Sequence, residues 1–365
     1  MRQGPVCSLR TESEKAFSDQ PKGVDRSSRL WETFCRTTQL EDTVPRRAPV
    51  GGVPLFDPAE GTTLMQPEVD APGYWVGAPA LWMDEDQLYL SVRHRRPPDD
   101  GRGWKSTIYQ VHEGIRLEEI WTCSAEQLGT ASIERSALVH IPDGAWRYYM
   151  SYVDPSDSRW RIDVLEADSI AGFDVDRRIP VLDAGNTFSE GVKDPVVLLL
   201  DGLVYLFAGY GPRDQVTAGT SAEQLHGAGN VFTTGLVPHP TGMWVSPDGH
   251  RFGFEREFVT PGAGWDSNVT RVSTIMPTDA GFLVFYDGRT SDGDVYEDRT
   301  GLVFSQELSS IDRHSEHEPL LEGFVGTRCL RYMDYAVLGS SLLYVYETST
   351  AAGGHELRVN RVPLR

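Results

Sequence analysis

From Gly51 onward the chain is a succession of short apolar runs broken by Gly, Pro, Asp and Asn, with no sustained helical period. Runs of this length, rich in Val, Leu, Tyr, Phe and Trp, predict β-strands. The clearest is Val196-Val197-Leu198-Leu199-Leu200, joined through Asp201-Gly202 to Leu203-Val204-Tyr205-Leu206-Phe207. An Asp-Gly pair between two such runs predicts a tight hairpin. Pro195 cannot donate to a ladder, so it is expected at the first position of its strand or at an edge.

This strand, turn, aromatic-strand unit recurs. It is read at Ala78-Pro79-Ala80-Leu81-Trp82 with Leu88-Tyr89-Leu90, and at Ser136-Ala137-Leu138-Val139 with Trp146-Arg147-Tyr148-Tyr149-Met150. Two more copies follow the Lys193-Asp194-Pro195 hairpin: Ser273-Thr274-Ile275-Met276 with Phe282-Leu283-Val284-Phe285-Tyr286, and Tyr335-Ala336-Val337-Leu338 with Leu342-Leu343-Tyr344-Val345-Tyr346. The aromatic second strands recur at intervals of roughly 60, 56, 79 and 60 residues, the size of a four-stranded blade with its loops. The pattern predicts an all-β fold, a five-bladed β-propeller over residues 49–365. A β-sandwich gives no reason for five copies of a unit this size. The long third interval leaves room for an insertion, Gly211 to about Pro240, over one face of the disc. Residues 1–48 are polar and predict a partly ordered N-terminal arm, with one short helix over Ser28–Leu40.

Charge narrows the partners. Among 365 residues, 34 Lys and Arg stand against 53 Asp and Glu, a net charge of -19, which argues against nucleic acid and anionic membranes. Cys7, Cys35, Cys123 and Cys329 are scattered, suggesting neither a disulfide framework nor a zinc cluster. No apolar run reaches ~20 residues, and Met1–Gln20 has no secretory pattern, so a cytoplasmic protein is expected.

In a propeller the first strand of every blade starts near the axis, so five strand starts converge on one funnel. They are Gly77-Ala78-Pro79, Glu134-Arg135-Ser136, Lys193-Asp194-Pro195, Thr270-Arg271-Val272 and Arg331-Tyr332-Met333. Charges of both signs with aromatic neighbours predict a polar, hydroxyl-rich or anionic ligand, the alternative being a closed axial salt-bridge network. The run Arg93-His94-Arg95-Arg96 is a further candidate contact for an anionic group, alongside Arg289 in Tyr286-Asp287-Gly288-Arg289. Of Trp75, Trp104, Trp146, Trp160, Trp244 and Trp265, Trp75 and Trp265 precede strand starts and are the candidates for stacking on a sugar ring. Neither His94 nor His140 has a partner at metal-ligand spacing, so no zinc and no cofactor are expected. A single axial calcium remains compatible, because oxygen ligands need no fixed spacing.

The blade pattern, with Lys193-Asp194-Pro195 ahead of an apolar strand and an Asp-Gly turn, resembles the five-bladed propeller glycosidases of glycoside hydrolase families 43 and 32, from about Tyr74 to the end. The resemblance implies a saccharide ligand and assigns Asp194 to holding substrate or tuning the acid. It also implies an Asp-Pro opening the first blade and a Glu opening the fourth, where this chain has Ala78-Pro79 and Arg271. Replacement carboxylates are Glu134, Glu190, Asp266 and Asp287, although Asp287-Gly288 also reads as a turn. The expected catalytic set is Asp194, Glu134 and Asp287, with Lys193, Arg135, Arg271, Arg93, His94, Trp75, Trp265, Tyr332 and Arg289 binding substrate. Three readings follow: a glycoside hydrolase-like enzyme, a non-hydrolytic lyase, isomerase or cyclase on the same scaffold, or a non-catalytic carbohydrate-binding propeller.

Overall fold

The computed structural model describes residues 52–142, 144–227, 229–291 and 297–364. The polar arm over residues 1–48, its Ser28–Leu40 helix and the thiols Cys7 and Cys35 lie outside the described residues. At Asp201-Gly202 both residues take positive φ, 51° and 77°, the conformation a two-residue hairpin turn demands. The turn joins a strand over Ser189–Leu200 to one over Leu203–Pro212.

The same hairpin heads every blade. Strand β1 (Thr62–Met65) precedes the first, formed by β2 (Trp75–Asp84), β3 (Gln87–Arg95), β4 (Gly103–His112) and β5 (Arg116–Ser124). The second holds β6 (Ala137–His140), β7 (Trp146–Val153), β8 (Trp160–Ala167) and β9 (Ile179–Leu182). The third holds β10 (Ser189–Leu200), β11 (Leu203–Pro212), β12 (Thr241–Ser246) and β13 (Gly253–Val259). The fourth holds β14 (Val269–Thr278), β15 (Gly281–Arg289), β16 (Arg299–Ser305) and β17 (Asp312–Arg313). The fifth holds β18 (Leu330–Leu338), β19 (Ser341–Ser349) and β20 (His355–Pro363), and β1 completes it by pairing antiparallel with β20, Thr62 opposite Val359. A single parallel bridge, Trp75 to His355, ties the fifth blade to the first. The innermost strands β2, β6, β10, β14 and β18 each touch the next, and β18 touches β2, so the ring closes.

Strand periodicity explains why the runs are apolar throughout. Successive side chains point to opposite faces, and each face of an inner strand packs on a different neighbour. In β11, Leu206 joins the apolar layer with Val139 and Val164 of the second blade, while Phe207 joins the layer with Val284 and Tyr286 of the fourth. In β15, Phe285 instead faces Tyr344 and Tyr346 of the fifth blade, with Phe56 in the same layer. Among the described residues no helix is long and apolar enough to cross a membrane.

Inner strands carry a recurrent bulge that aims side chains at the axis. Pairing slips between Gly77 and Ala80, between Lys193 and Val196, and between Arg331 and Asp334. Inside these slips Ala78, Asp194 and Tyr332 take positive φ of 49°, 58° and 53°. Pro195 is therefore not the first residue of its strand; it sits in the bulge, where no ladder donor is required, as does Pro79. The freed amides are capped by the preceding blade's second strand. Ala78 N–H donates to Glu347 (2.9 Å), Tyr332 N–H to Asp287 (3.0 Å) and Asp194 N–H to Ser151 Oγ (3.3 Å). Asp287-Gly288 is consequently no turn. It lies within β15, opposite Arg271 and Thr270, and Gly288 leaves room for Trp265.

Candidate active site

Where the inner strands begin, a small, partly open polar pocket lies on the axis. Four strand-start residues line it: Glu134, Lys193, Arg271 and Arg331 with its neighbour Tyr332. Arg95 enters from β3, Arg289 from the end of β15 and Asp298 from the loop ahead of β16. The insertion supplies one wall through Asn230, Phe232, Thr233 and His239, as its length suggested. It is anchored by an apolar cluster of Leu225, Val231, Phe232 and Val237 on Val153 and Trp160.

The charges interlock. Arg271 donates to Asp287 (2.8 Å), Asp298 (3.1 Å) and Asp194 (3.2 Å), and its guanidinium lies 3.9 Å from the centre of the Tyr332 ring. Lys193 pairs with Asp194 at 3.3 Å and faces the Trp160 ring at 5.0 Å. Asp298 also meets Arg289 (3.0 Å) and Arg331 (3.5 Å). Glu134 meets Arg95 (3.0 Å) and Arg93 (3.2 Å). Arg93 and Arg331 converge on the fully buried Glu347 at 3.0 and 2.6 Å.

Burial opposes charge throughout this network, and the outcome differs residue by residue. For Glu134 burial is outweighed by the charges of Arg93, Lys193 and Arg95, which hold its carboxyl down at about 2. Asp298 is likewise held below its usual range by Arg271, Arg289 and Arg331 despite burial. Asp287 goes the other way, to about 6, because burial and the nearby Asp298 exceed the pull of Arg271. Burial, reinforced by Lys193, Arg271 and Arg289, pushes His239 well below its ordinary value, so its ring is neutral. The His239 Nε2 is buried without a hydrogen-bond partner, and the ring stacks 3.9 Å from Phe232.

Of the residues expected to bind substrate, Lys193, Arg271, Tyr332 and Arg289 line the cavity, as does the proposed catalytic Glu134. Asp194 and Asp287 lie directly behind that lining and grip Arg271. Arg135 is elsewhere on the axis, donating to the Ser273 carbonyl and reaching Asp334 at 3.4 Å. Arg93 is sealed between Glu134 and Glu347. The basic run is split by strand alternation: Arg93 and Arg95 turn inward, whereas His94 packs near Trp104 and Arg96 forks onto Glu68. Burial beside Lys105 and Arg93 drops His94 to about 3. Trp75 backs the lining, with Arg95 4.3 Å from its ring and His355 stacked on it, and Trp265 packs on Tyr286. Glu190 binds Arg159, Arg213 and His226, and Asp266 binds Tyr286 and Arg313.

The sequence reading named Arg95 only as part of the basic run, and it missed Asp298 and the wall residues His239, Asn230, Phe232 and Thr233. Of these, only the wall residues carried a signal, through their place in the long insertion from Gly211 to about Pro240.

No family model matches the chain, and no curated protein matches it. Solved structures do. A thermostable family-43 glycoside hydrolase superposes with TM-score 0.58 at 14% identity, covering 81% of this chain and 92% of its own. The catalytic domain of the Coprinopsis cinerea GH62 α-L-arabinofuranosidase gives 0.56 at 13%, covering 83% and 95%. The β-1,2-mannobiose phosphorylase from Listeria innocua, in complex with β-1,2-mannobiose, gives 0.56 at 12%, covering 82% and 94%. The chain has the fold of the propeller glycosidases. Ala78 and Asp194 occupy like places in their bulges, both at positive φ inside a register slip. The space beside Ala78 is filled from the fifth blade by Glu347, whose carboxylate a side chain at Gly77 would strike.

Proposed function

We propose that this propeller glycosidase fold carries a sugar-processing enzyme whose substrate is an anionic sugar or sugar-like molecule held in the axial cavity. The observation that carries the reading is the lining charge: Arg95, Lys193, Arg271, Arg289 and Arg331 against Glu134 and Asp298, in a chain of net charge -19. Guanidinium groups on a concave surface suit phosphate or carboxylate, with Asp194, Asp287 and Glu347 behind the lining balancing Lys193, Arg271 and Arg331 until such a ligand binds.

Glycoside cleavage ordinarily needs one carboxyl to protonate the leaving oxygen and another to attack or to activate water. Both carboxylates on the cavity wall are held ionised, so neither is a proton donor at neutral pH. An anionic leaving group removes that need, because the C–O electron pair departs on an oxyanion that the arginines stabilise. Glu134 then accepts the proton of the attacking water, while Asp194 and Asp287 position Lys193, Arg271 and Tyr332. The structural neighbour described as a β-1,2-mannobiose phosphorylase in complex with β-1,2-mannobiose is in keeping with a saccharide ligand. The second reading is non-hydrolytic chemistry on the same substrate class, favoured by Ala78 and Arg271 at the positions of the usual base and acid.

The test is a panel of sugar 1-phosphates and neutral aryl glycosides incubated with the full chain. Release of inorganic phosphate from a sugar phosphate supports hydrolysis. Binding of an anionic sugar with isomerised or eliminated product supports the second reading. Turnover confined to neutral aryl glycosides overturns both.

A further inference from the structure

Behind the cavity wall, Glu297, Cys329 and His355 come together from three separate segments. Glu297 lies in the loop ahead of β16, Cys329 immediately before β18, and His355 opens β20. One ligand atom from each, a carboxylate oxygen, a thiol sulfur and an imidazole nitrogen, lies within 4.8 Å of the others. Cys329 and His355 are buried.

The imidazole is oriented from behind. His355 Nδ1 lies 2.8 Å from Glu347 Oε1, and its ring stacks on Trp75 at 4.6 Å and 17°. A carboxylate on Nδ1 fixes the proton there and leaves the Nε2 lone pair facing away from it, the arrangement that metal-binding histidines use. That Nε2 is buried without a hydrogen-bond partner and points to Glu297 Oε1 at 3.5 Å. Glu297 is held in turn by Thr327 Oγ1, which donates to its other oxygen. The backbone of Cys329 is pinned by Thr348 Oγ1, which donates to its carbonyl (2.7 Å).

We propose that Glu297, Cys329 and His355 form a binding site for a thiophilic divalent cation, zinc above all. A thiolate, an imidazole and a carboxylate suit tetrahedral Zn2+ with a fourth position left for water, whereas calcium and magnesium select all-oxygen sets. Binding releases the Cys329 proton to solvent, so one thiolate and one carboxylate balance the two positive charges of the ion. The site is distinct from the sugar cavity, but Arg331 and Glu347 link the two, so the metal would brace the wall where the fifth blade meets the first.

The alternative is an imidazolium bridging Glu347 and Glu297 with no affinity for metal. To separate the two, the full chain is stripped with chelator and titrated with Co2+ and then with Zn2+. The expected result is a thiolate-to-cobalt charge-transfer band in the near ultraviolet that zinc quenches at one equivalent. Cys329→Ser should abolish the band and weaken zinc by on the order of 100-fold, and Glu297→Gln should weaken it by about 10-fold or more. The Cys7→Ser/Cys35→Ser chain should keep the band. Absence of the band in the unmodified chain, or its loss with the N-terminal cysteines, overturns the proposal, and the unmodified chain gives that answer even if a variant fails to fold.

Discussion

Asp194 is asked to do two things that separate cleanly by substitution. Its backbone sits at positive φ, which Asn tolerates and most residues do not. Its carboxylate neutralises Lys193 and Arg271, both buried. Asp194→Asn therefore removes charge alone, while Asp194→Ala adds backbone strain. Stripping a partner from a buried pair costs about 3–5 kcal/mol, so urea unfolding should show a loss of that order for Asn and a larger one for Ala. Lys193→Met should leave the fold intact and weaken an anionic ligand by roughly 10–100-fold, the loss of one charge-assisted hydrogen bond, as read by calorimetry. Much of this residue set was legible in the chain, because strand starts must converge in any propeller. Lys193, Glu134, Arg271, Arg331 and Tyr332 were found that way, and Arg289 from the end of a second strand. Asp298, His239 and Glu347 were not, since a loop, an insertion and a second strand bring them in, and no local period marks such positions.

At the scale of the strand, the bulges decide which side chains reach the axis. Their existence was not readable, although Pro79 and Pro195 marked where two of them fall. The hairpin turn at Asp201-Gly202 and the five repeats were readable, because Gly chemistry and apolar period act locally. The fourth strand of the last blade was not, because β1 is short and its partner β20 stands almost the whole chain away. That pairing brings Phe56 against Tyr344 and Tyr346 at 4.8 Å in each case. Phe56→Ala should cost about 3–5 kcal/mol, seen as a lower urea midpoint with unchanged slope.

For the molecule as a whole, pH acts through groups of opposite sign. Glu134 has its folded value lowered from 4.5 to about 2, so its contribution is complete above 4.5 and is lost as pH falls toward 2. Asp287 has its folded value raised from 3.8 to about 6, so its contribution is present below 3.8 and fades as pH rises through 6. Stability should therefore lose, between about pH 4 and pH 6, a component that Asp287→Asn removes, and should lose below pH 4.5 one that Asp287→Asn leaves intact. Chemical denaturation across pH 2–8 reads both limbs. For the anionic ligand proposed above, the apparent association rate should vary with added salt, and a rate insensitive to salt would count against that reading.

The clasp between Thr62–Met65 and His355–Pro363 has a consequence for how the molecule comes into being. Four blades can assemble as they leave the ribosome, but the ring stays unsealed until its last strand has emerged, and during that interval Phe56 and its aromatic partners remain exposed. A message cut short within the final strand would yield a chain with four intact blades and a gaping seam, a natural target for chaperones and proteases. The converse also holds: stitching the two clasp strands into one continuous hairpin and cutting the chain between two other blades should give a permuted protein that closes earlier in synthesis.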